Sequence, residues 1–439
     1  MLDRLFRLNE NGTTVRTEVV AGATTFLTTA YIIFVQPAVL GAAGMDSGAV
    51  LTATCLATAI ATLFMAFWAN YPFAVAPAMG HNFFFAFTVV LAGGTPWQIA
   101  LGAVAIAGIL FILTAGLGLR EMVIRALPES FTHAIGVGIG LLIAVIGLEW
   151  AGVIVDAPGT LVGLGNLKTP PVLVALGTFA LMAVLQAWRV PGATLIGMIA
   201  AAVAALGLGL TTWTGVVSTP PSLAPTFLEL DIAGALTPAM FDVVFVFFFL
   251  ALFDSVGTLV ALTSRLGLVR NGTFPRAKQA LLADAAGTVI GAGLGTSTVT
   301  AYVESSTGVA AGGRTGLASV VTAVLFLVAL FCHPLVELVG GGYTGGGGLT
   351  LYPVIAPALM LVGVTMMEGV RNVRWNDFTE ALPAFLAITI MPLSMSITDG
   401  IAFGLIGYVV LKAATGRGRE LHWLVYAFGL LFLARYALL

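Results

Sequence analysis

Charge is scarce in this chain. Asp, Glu, Lys and Arg make up 9% of its 439 residues, whereas a soluble domain carries about 25%. That shortage, with 59% hydrophobic residues and a mean hydropathy of +1.05, excludes a soluble fold and indicates a polytopic membrane protein. Cysteine is nearly missing as well. Cys55 and Cys332 both lie in apolar runs, so no disulfide framework is expected. The four histidines and two cysteines show no metal-ligand spacing, and no Gly-rich loop leads into a helix start with Lys. No metal, cofactor or nucleic-acid partner is expected, and no polar domain is long enough to hold a separate activity. The opening MLDRLFRLNENGTTVRTE has no apolar h-region with a cleavage site, so no cleaved signal peptide is expected.

Long apolar runs are what the chain has instead. A spanning helix needs about 20 mostly apolar residues. Spans are read near 17–40, 48–68, 72–92, 97–119, 131–149, 171–188 and 191–210, then near 240–265, 278–292, 295–311, 315–338, 352–369, 379–394 and 397–413. A polar, Pro-rich extracellular connection over 211–238 separates the two sets. The expected division is a first repeat (1–210), that connection, a second repeat (239–413) and a C-terminal tail (414–439). The apolar tail segment 421–438 either crosses again or lies along the surface.

The basic residues test this layout. With the N-terminus inside, the inside connections hold Arg4, Arg7, Arg16, Arg120, Arg125, Arg189, Arg265, Arg270, Arg276, Lys278, Arg314, Arg371, Arg374, Lys412, Arg417 and Arg419, sixteen of the eighteen. Lys168 falls outside, and Arg435 sits in the tail. The expectation is an all-α protein of 14 spans in the plasma (inner) membrane, with both repeats ending on the cytoplasmic side. Seven spans followed by seven place the halves in opposite orientation, the inverted-repeat plan of secondary transporters.

The third span of each half departs from an ordinary membrane helix. Leu282 to Gly316 reads LADAAGTVIGAGLGTSTVTAYVESSTGVAAGGRTG, rich in Gly and Thr. Its β-branched run Thr296–Val303 suits an extended strand, after which small residues resume a helical pattern. Tyr71 to Gly94, YPFAVAPAMGHNFFFAFTVVLAGG, repeats that design, and Pro72 and Pro77 do not belong inside a regular helix. Irregular backbone at membrane depth is tolerated where it is buried in protein or lines a cavity. Asn82 and Glu304 are read as the points where strand hands over to helix. Paired interruptions of this kind mark a midplane binding site.

Three acids are read as lying deep: Asp254 in FFFLALFDSVGTLV, Asp284 in LLADAAGTV, and Glu304. An intramembrane carboxylate is costly and usually functional. For Asp254 the alternative is a structural hydrogen bond to neighbouring backbone; for Asp284 it is a lock between two helices or a gate. Asn82 can donate and accept at once, which suits a heterocycle amide. His81 reads as a satisfied structural group or as a participant in proton movement. The runs Phe83–Phe85 and Phe247–Phe249 read as lipid or core contacts by default, with one face available to stack on a planar ligand. The Gly-rich stretch 339–348 reads as a flexible external loop.

The stretches LADAAGTVIGAGLGTSTVTAYVESSTGVAAGGRTGL, ALFDSVGTLV and APAMGHNFFFAF, with the opening TTVRTEVVAGATTFLTTAYIIFV and TDGIAFG near residue 400, resemble the AzgA-like hypoxanthine/guanine permeases. These belong to the nucleobase–cation symporter (nucleobase–ascorbate transporter) superfamily, and the likeness covers nearly the whole chain. The resemblance implies a core domain of spans 1–4 and 8–11, a gate domain of spans 5–7 and 12–14, and often a dimer. It further implies proton-coupled purine uptake by an elevator-type slide of core against gate. By motif, Asp254 and Glu304 match the family's acids for purine binding and proton coupling, and Gly80 and Asn82 match its Gly-x-Asn. Phe83 and Ser305 flank those positions and join the expected binding set. Where the family usually reads GLNAFF this chain reads GHNFFF, so His81 replaces an aliphatic residue and Phe83 replaces Ala.

Three rivals remain. An anion carrier of the same fold, of the sulfate or bicarbonate kind, needs half-helix N-termini free for the anion, and Glu304 at that junction opposes it. A passive nucleobase channel has no use for buried acids. A membrane enzyme would use Asp254 and Glu304 as acid and base.

Overall fold

The computed structural model describes residues 2–117, 128–157, 159–269, 274–344 and 350–438. Arg120, Arg125, Arg270 and residues 345–349 of the Gly-rich stretch lie outside the described residues. Each apolar run read as a span contains a helix. Among the described residues, eight helical stretches are long and apolar enough to cross a membrane; those at 79–92, 193–207, 378–394 and 423–434 are apolar but shorter.

The first half runs through α1 (Leu2–Phe6), α2 (Val15–Thr29), α3 (Ile32–Ala42), α4 (Ser47–Phe64), β1 (Val75–Pro77), α5 (Met79–Phe83), α6 (Trp97–Leu117), α7 (Glu129–Trp150), the hairpin β2 (Ile154–Ala157) and β3 (Thr160–Leu164), α8 (Pro170–Ala187) and α9 (Ala193–Gly207). After α10 (Ile232–Ala235) come α11 (Phe241–Arg265), α12 (Ala277–Leu294), β4 (Val299–Ala301), α13 (Ser305–Ala310), α14 (Gly316–Ala329), α15 (His333–Gly340), the short pair β5 (Tyr343–Thr344) and β6 (Thr350–Leu351), α16 (Ala356–Met366), α17 (Phe378–Ser394), α18 (Ile397–Ala414) and α19 (Trp423–Leu438).

Local chemistry sets many of these boundaries. Thr14, Asp46, Asp377 and Ser396 accept backbone N–H groups in the first turns of α2, α4, α17 and α18, the usual N-cap arrangement. The first apolar run breaks between α2 and α3. There the Thr28 and Thr29 hydroxyls donate back to the Thr25 carbonyl at 2.9 and 2.8 Å, a competition that bends helices. Helix α12 ends on Gly295 at φ +97°, where a Cβ would meet Thr226 Cβ at 2.2 Å. α13 seats on α2 so closely that a Cβ on Gly308 would meet Thr25 Oγ1 at 2.0 Å.

The two irregular segments meet. β1 and β4 pair antiparallel, Val75 with Ala301, Ala76 with Thr300 and Pro77 with Val299. The ladder is extended by Ala78 N–H to the Thr298 carbonyl and Tyr302 N–H to the Ala74 carbonyl, each 2.9 Å. The Ser305 hydroxyl accepts from Ala74 N–H at 3.0 Å. This answers the question left by a short strand in hydrocarbon: each strand satisfies the other's backbone. One detail differs from the sequence reading. The first strand hands over to helix at Ala78, and Asn82 already donates its N–H to the Ala78 carbonyl one turn further on. Glu304 does occupy the N-cap position of α13.

Around this ladder α2 packs on α13 and α14, α4 on α12 and α14, and α6 on α11 and α12. A second set of contacts joins α7 to α16 and α17, α8 to α9 and α16, and α17 to α18. Connections expected on one side also touch. Asn70 donates to the Phe6 carbonyl and accepts from Gly316 N–H. On the opposite face Thr52 donates to the Pro221 carbonyl, and Asp231 N–H donates to the Gln98 carbonyl.

Candidate functional site

A cavity of about 300 Å³ lies beside the paired strands. Its walls are the first turn of α5 (Ala78–His81), the middle of α11 (Phe249–Thr258), the β4–α13 junction (Thr300–Glu304) and Tyr31 from the α2–α3 break. The opposite wall comes from Thr132, Ile135 and Ile139 of α7 and from Val362, Thr365 and Met366 of α16. The space therefore sits between the two sets of packed helices. Gly80 allows close approach across it, since a Cβ there would meet Ile139 Cγ2 at 2.9 Å. The N–H groups in the first turn of α5 have no acceptor within the helix, so that turn brings backbone donors to the wall.

Two carboxylates line this cavity. Asp254 is exposed and Glu304 partly so; both are deep in the sequence yet open to the same space. Asp254 Oδ2 accepts from Thr300 Oγ1 at 2.9 Å. Glu304 Oε1 accepts from the Tyr31 hydroxyl at 2.9 Å. The Tyr302 hydroxyl donates to the Pro77 carbonyl, tying the strand end in place. Apolar wall area comes from Phe249 and Phe253, whose ring centroids stand 4.4 Å apart.

Of the residues expected at the site, Glu304, Asp254, Gly80 and His81 line the cavity, while Asn82, Phe83, Ser305 and Asp284 do not. Asn82 is fully buried, and its Oδ1 accepts from the Ser297 hydroxyl. Phe83 is buried and stacks on Phe87 at 5.4 Å. Ser305 bonds the ladder, as described. Asp284 is wholly buried beside Ser255 and the Ala301 backbone. Of the phenylalanine runs only Phe249 reaches the wall; Phe84 packs edge-on against Phe247 at 4.6 Å.

The sequence reading of three deep acids also falls short. Glu18 is fully buried, and its carboxylate accepts N–H groups from Arg314, Thr315 and Ala318 at 2.8–3.3 Å. It terminates α14 as a capping anion would. Glu380 is buried too, paired with Lys412 at 3.0 Å and accepting from the Tyr408 hydroxyl at 2.5 Å. Tyr31 was the contact to Glu304 that the sequence did not offer, since no Gly or Pro marks the break that places it.

A crevice between two helix sets, lined by Glu304 on an interrupted segment and Asp254 on the long helix α11, fits a multi-pass membrane permease. Residues 16–403 match the Permease family, Xan_ur_permease. The chain belongs to this xanthine/uracil permease family, within the nucleobase–ascorbate transporter superfamily. A permease of Methanocaldococcus jannaschii is 47% identical over 100% of this chain and 98% of its own. Adenine permease AdeP of Escherichia coli is 45% identical over 99% of this chain and 96% of its own, and guanine/hypoxanthine permease PbuO of Bacillus subtilis 41% identical over 98% of each. The transmembrane domain of the cyanobacterial bicarbonate transporter BicA superposes with TM-score 0.63 at 17% identity, covering 89% of this chain and 97% of that one, which shows a shared fold.

Proposed function

We propose that this permease imports purine nucleobases of the hypoxanthine, guanine and adenine class together with protons. The observation that carries the reading is the placement of Asp254 and Glu304, from α11 and the β4–α13 junction, on one cavity between two helix sets. A purine presents N–H donors in the plane of its ring, and a carboxylate accepts from such donors strongly. A carboxylate that meets both ligand and water is also the natural carrier of a coupled proton. The relatives named for adenine and for guanine/hypoxanthine support the substrate class.

In this reading spans 1–4 and 8–11 form the core and spans 5–7 and 12–14 the gate, and the core slides past the gate as an elevator. The chain crosses the plasma (inner) membrane 14 times as two inverted repeats with cytoplasmic ends, and works as a homodimer. Competition uptake of labelled hypoxanthine, guanine, adenine, xanthine and uracil into proteoliposomes tests it. Purines should compete, and accumulation should require an inward proton gradient and collapse with a protonophore. Uptake driven by sodium and indifferent to the proton gradient would remove proton coupling; selective uptake of bicarbonate or sulfate would replace the substrate class.

A further inference from the structure

We propose that Thr88 is a latch that holds the outer end of the crevice between the two helix sets shut, through hydrogen bonds that must break before the cavity opens outward. This rests on the sliding of core past gate read above and names a contact that restrains it.

The cavity occupies one end of that crevice. On α7 it is lined by Thr132, Ile135 and Ile139, whereas Ile143, Ile146 and Trp150 further along are buried. On α16 it is lined by Val362, Thr365 and Met366, whereas Ala356 to Leu361 are buried. In the orientation proposed above, both lined segments belong to the cytoplasmic halves of their helices. Aromatic rings close the other end. Phe87 of the helical stretch 79–92 stands 6.0 Å from Trp150, and Trp150 stands 4.4 Å from Tyr352.

Thr88 joins this closed end to the second helix set by polar contacts. It is buried, and its hydroxyl donates to the Met395 carbonyl at 3.2 Å and accepts from Ile397 N–H at 3.3 Å. Both partners belong to the turn between α17 and α18. The Ile397 N–H lies in the first turn of α18, where the helix itself offers no acceptor, and the Ser396 side chain caps Asp399 N–H instead. Met395 holds φ at +53°, a left-handed conformation that a residue with a side chain keeps only where its surroundings hold it. A threonine of one helix set thus completes a turn of the other. Thr88 does not line the cavity, so it acts away from the bound base. A slide of one set past the other carries it from the turn, and a hydrogen bond is lost beyond about 3.5 Å. Water at the opened end then serves the Met395 and Ile397 backbone groups. Removing the hydroxyl therefore penalises the closed state alone.

The test reads how often the outer end opens. Full-length protein with Cys55→Ala and Cys332→Ala carries one reporter, Thr365→Cys, at an exposed position on the cavity wall. Its reaction with a membrane-impermeant maleimide is timed from outside intact cells and again after permeabilisation. External labelling should be slow with Thr88 in place. Thr88→Val should speed it roughly 5- to 150-fold, the effect of leaving buried backbone groups unpaired in the closed state. Thr88→Ala serves if the valine variant does not assemble, and Thr88→Ser keeps the hydroxyl and should label as slowly as threonine. Equal external rates with and without the hydroxyl overturn the latch, and Thr88 is then a packing residue. A serine variant as fast as the valine variant overturns it too. If the reporter protein with Thr88 intact labels as fast from outside as after permeabilisation, the one-sided access that the sliding reading needs is overturned, and the latch with it.

Discussion

The Tyr31 hydroxyl donates a 2.9 Å hydrogen bond to Oε1 of Glu304, joining the break between α2 and α3 to the N-cap of α13. One carboxylate oxygen is thereby committed within the protein, and in the function proposed above the other accepts from a bound base. Glu304→Gln should satisfy Tyr31 through its carbonyl oxygen but turn an N–H toward a donor of the base. A mispaired buried group costs about 1–3 kcal/mol, so binding by isothermal titration should weaken roughly 5- to 150-fold. Proton-driven accumulation should fail as well, because an amide does not titrate. Near-normal affinity with accumulation intact would pass both roles to Asp254.

Asn82→Ala should behave differently. Asn82 is fully buried on the Ser297 hydroxyl and does not line the cavity. Its loss should lower stability by about 1–3 kcal/mol, the cost of leaving a buried partner unpaired, while KM for purine stays close to that of the unaltered protein. A thermal-shift assay beside uptake kinetics checks this; a large rise in KM with unchanged stability would place Asn82 on the ligand.

Lys412 is 1% exposed and paired with Glu380 at 3.0 Å and Glu420 at 2.8 Å. Lys412→Met strands Glu380 without its cation, and breaking one side of a buried pair costs about 3–5 kcal/mol. Replacing both, Lys412→Met with Glu380→Leu, should recover most of that loss. Melting in detergent would show it, and equal Tm for the single and double variants would argue that the pair is not coupled.

Acid should loosen the same end of the molecule. Hydrogen bonds from Thr379 and Arg417 hold the Asp377 carboxyl down at about 2, and those from Arg417 and Lys412 hold Glu420 at about 2. A carboxyl held below its unfolded value, about 4, contributes stability that is complete above that pH and lost as pH falls toward the folded value. Stability against pH should therefore be level from neutrality to about 5 and fall steadily below about 4. Arg417→Gln should flatten this acid limb; an unchanged limb would assign it to other acids.

Sidedness can be read by labelling. In a Cys55→Ala, Cys332→Ala background, Ala42→Cys should react with a membrane-impermeant maleimide from outside intact cells. Ala414→Cys should react only after permeabilisation. Both sites are exposed, so the reverse pattern would invert the orientation proposed here.

The fold was largely legible because its signals are compositional. Apolar runs announced the helices, and the β-branched stretch Thr296–Val303 with Pro72 and Pro77 announced the two interruptions. Asp254 and Glu304 were legible for the same reason, being charges out of place in a membrane segment, whereas Gly80 came only from the resemblance to the permeases' Gly-x-Asn. Side-chain direction was not. Asn82 and Ser305 stand in the right segments, but helix and strand geometry turns them away from the cavity, and single-chain spacing does not reveal that. Glu18 and Glu380 do not stand out in the sequence as buried acids because their partners, the α14 N–H groups and Lys412, come from distant parts of the chain. Tyr31 was silent because threonine hydroxyls bend its helix, and threonine is common in every helix here.

The antiparallel pairing of Val75–Pro77 with Val299–Ala301 also bears on how the molecule is made. Until the second half emerges from the ribosome, the first strand has the Thr62 hydroxyl at Val75 but no strand to pair with, and lipid supplies none. Contacts this distant in sequence form late and slowly. The nascent first half must therefore wait with an open seam at its centre, shielded by its own helices or by insertion factors. The ligand cavity comes into being only when that seam closes, so assembly of the site and completion of the fold are one event.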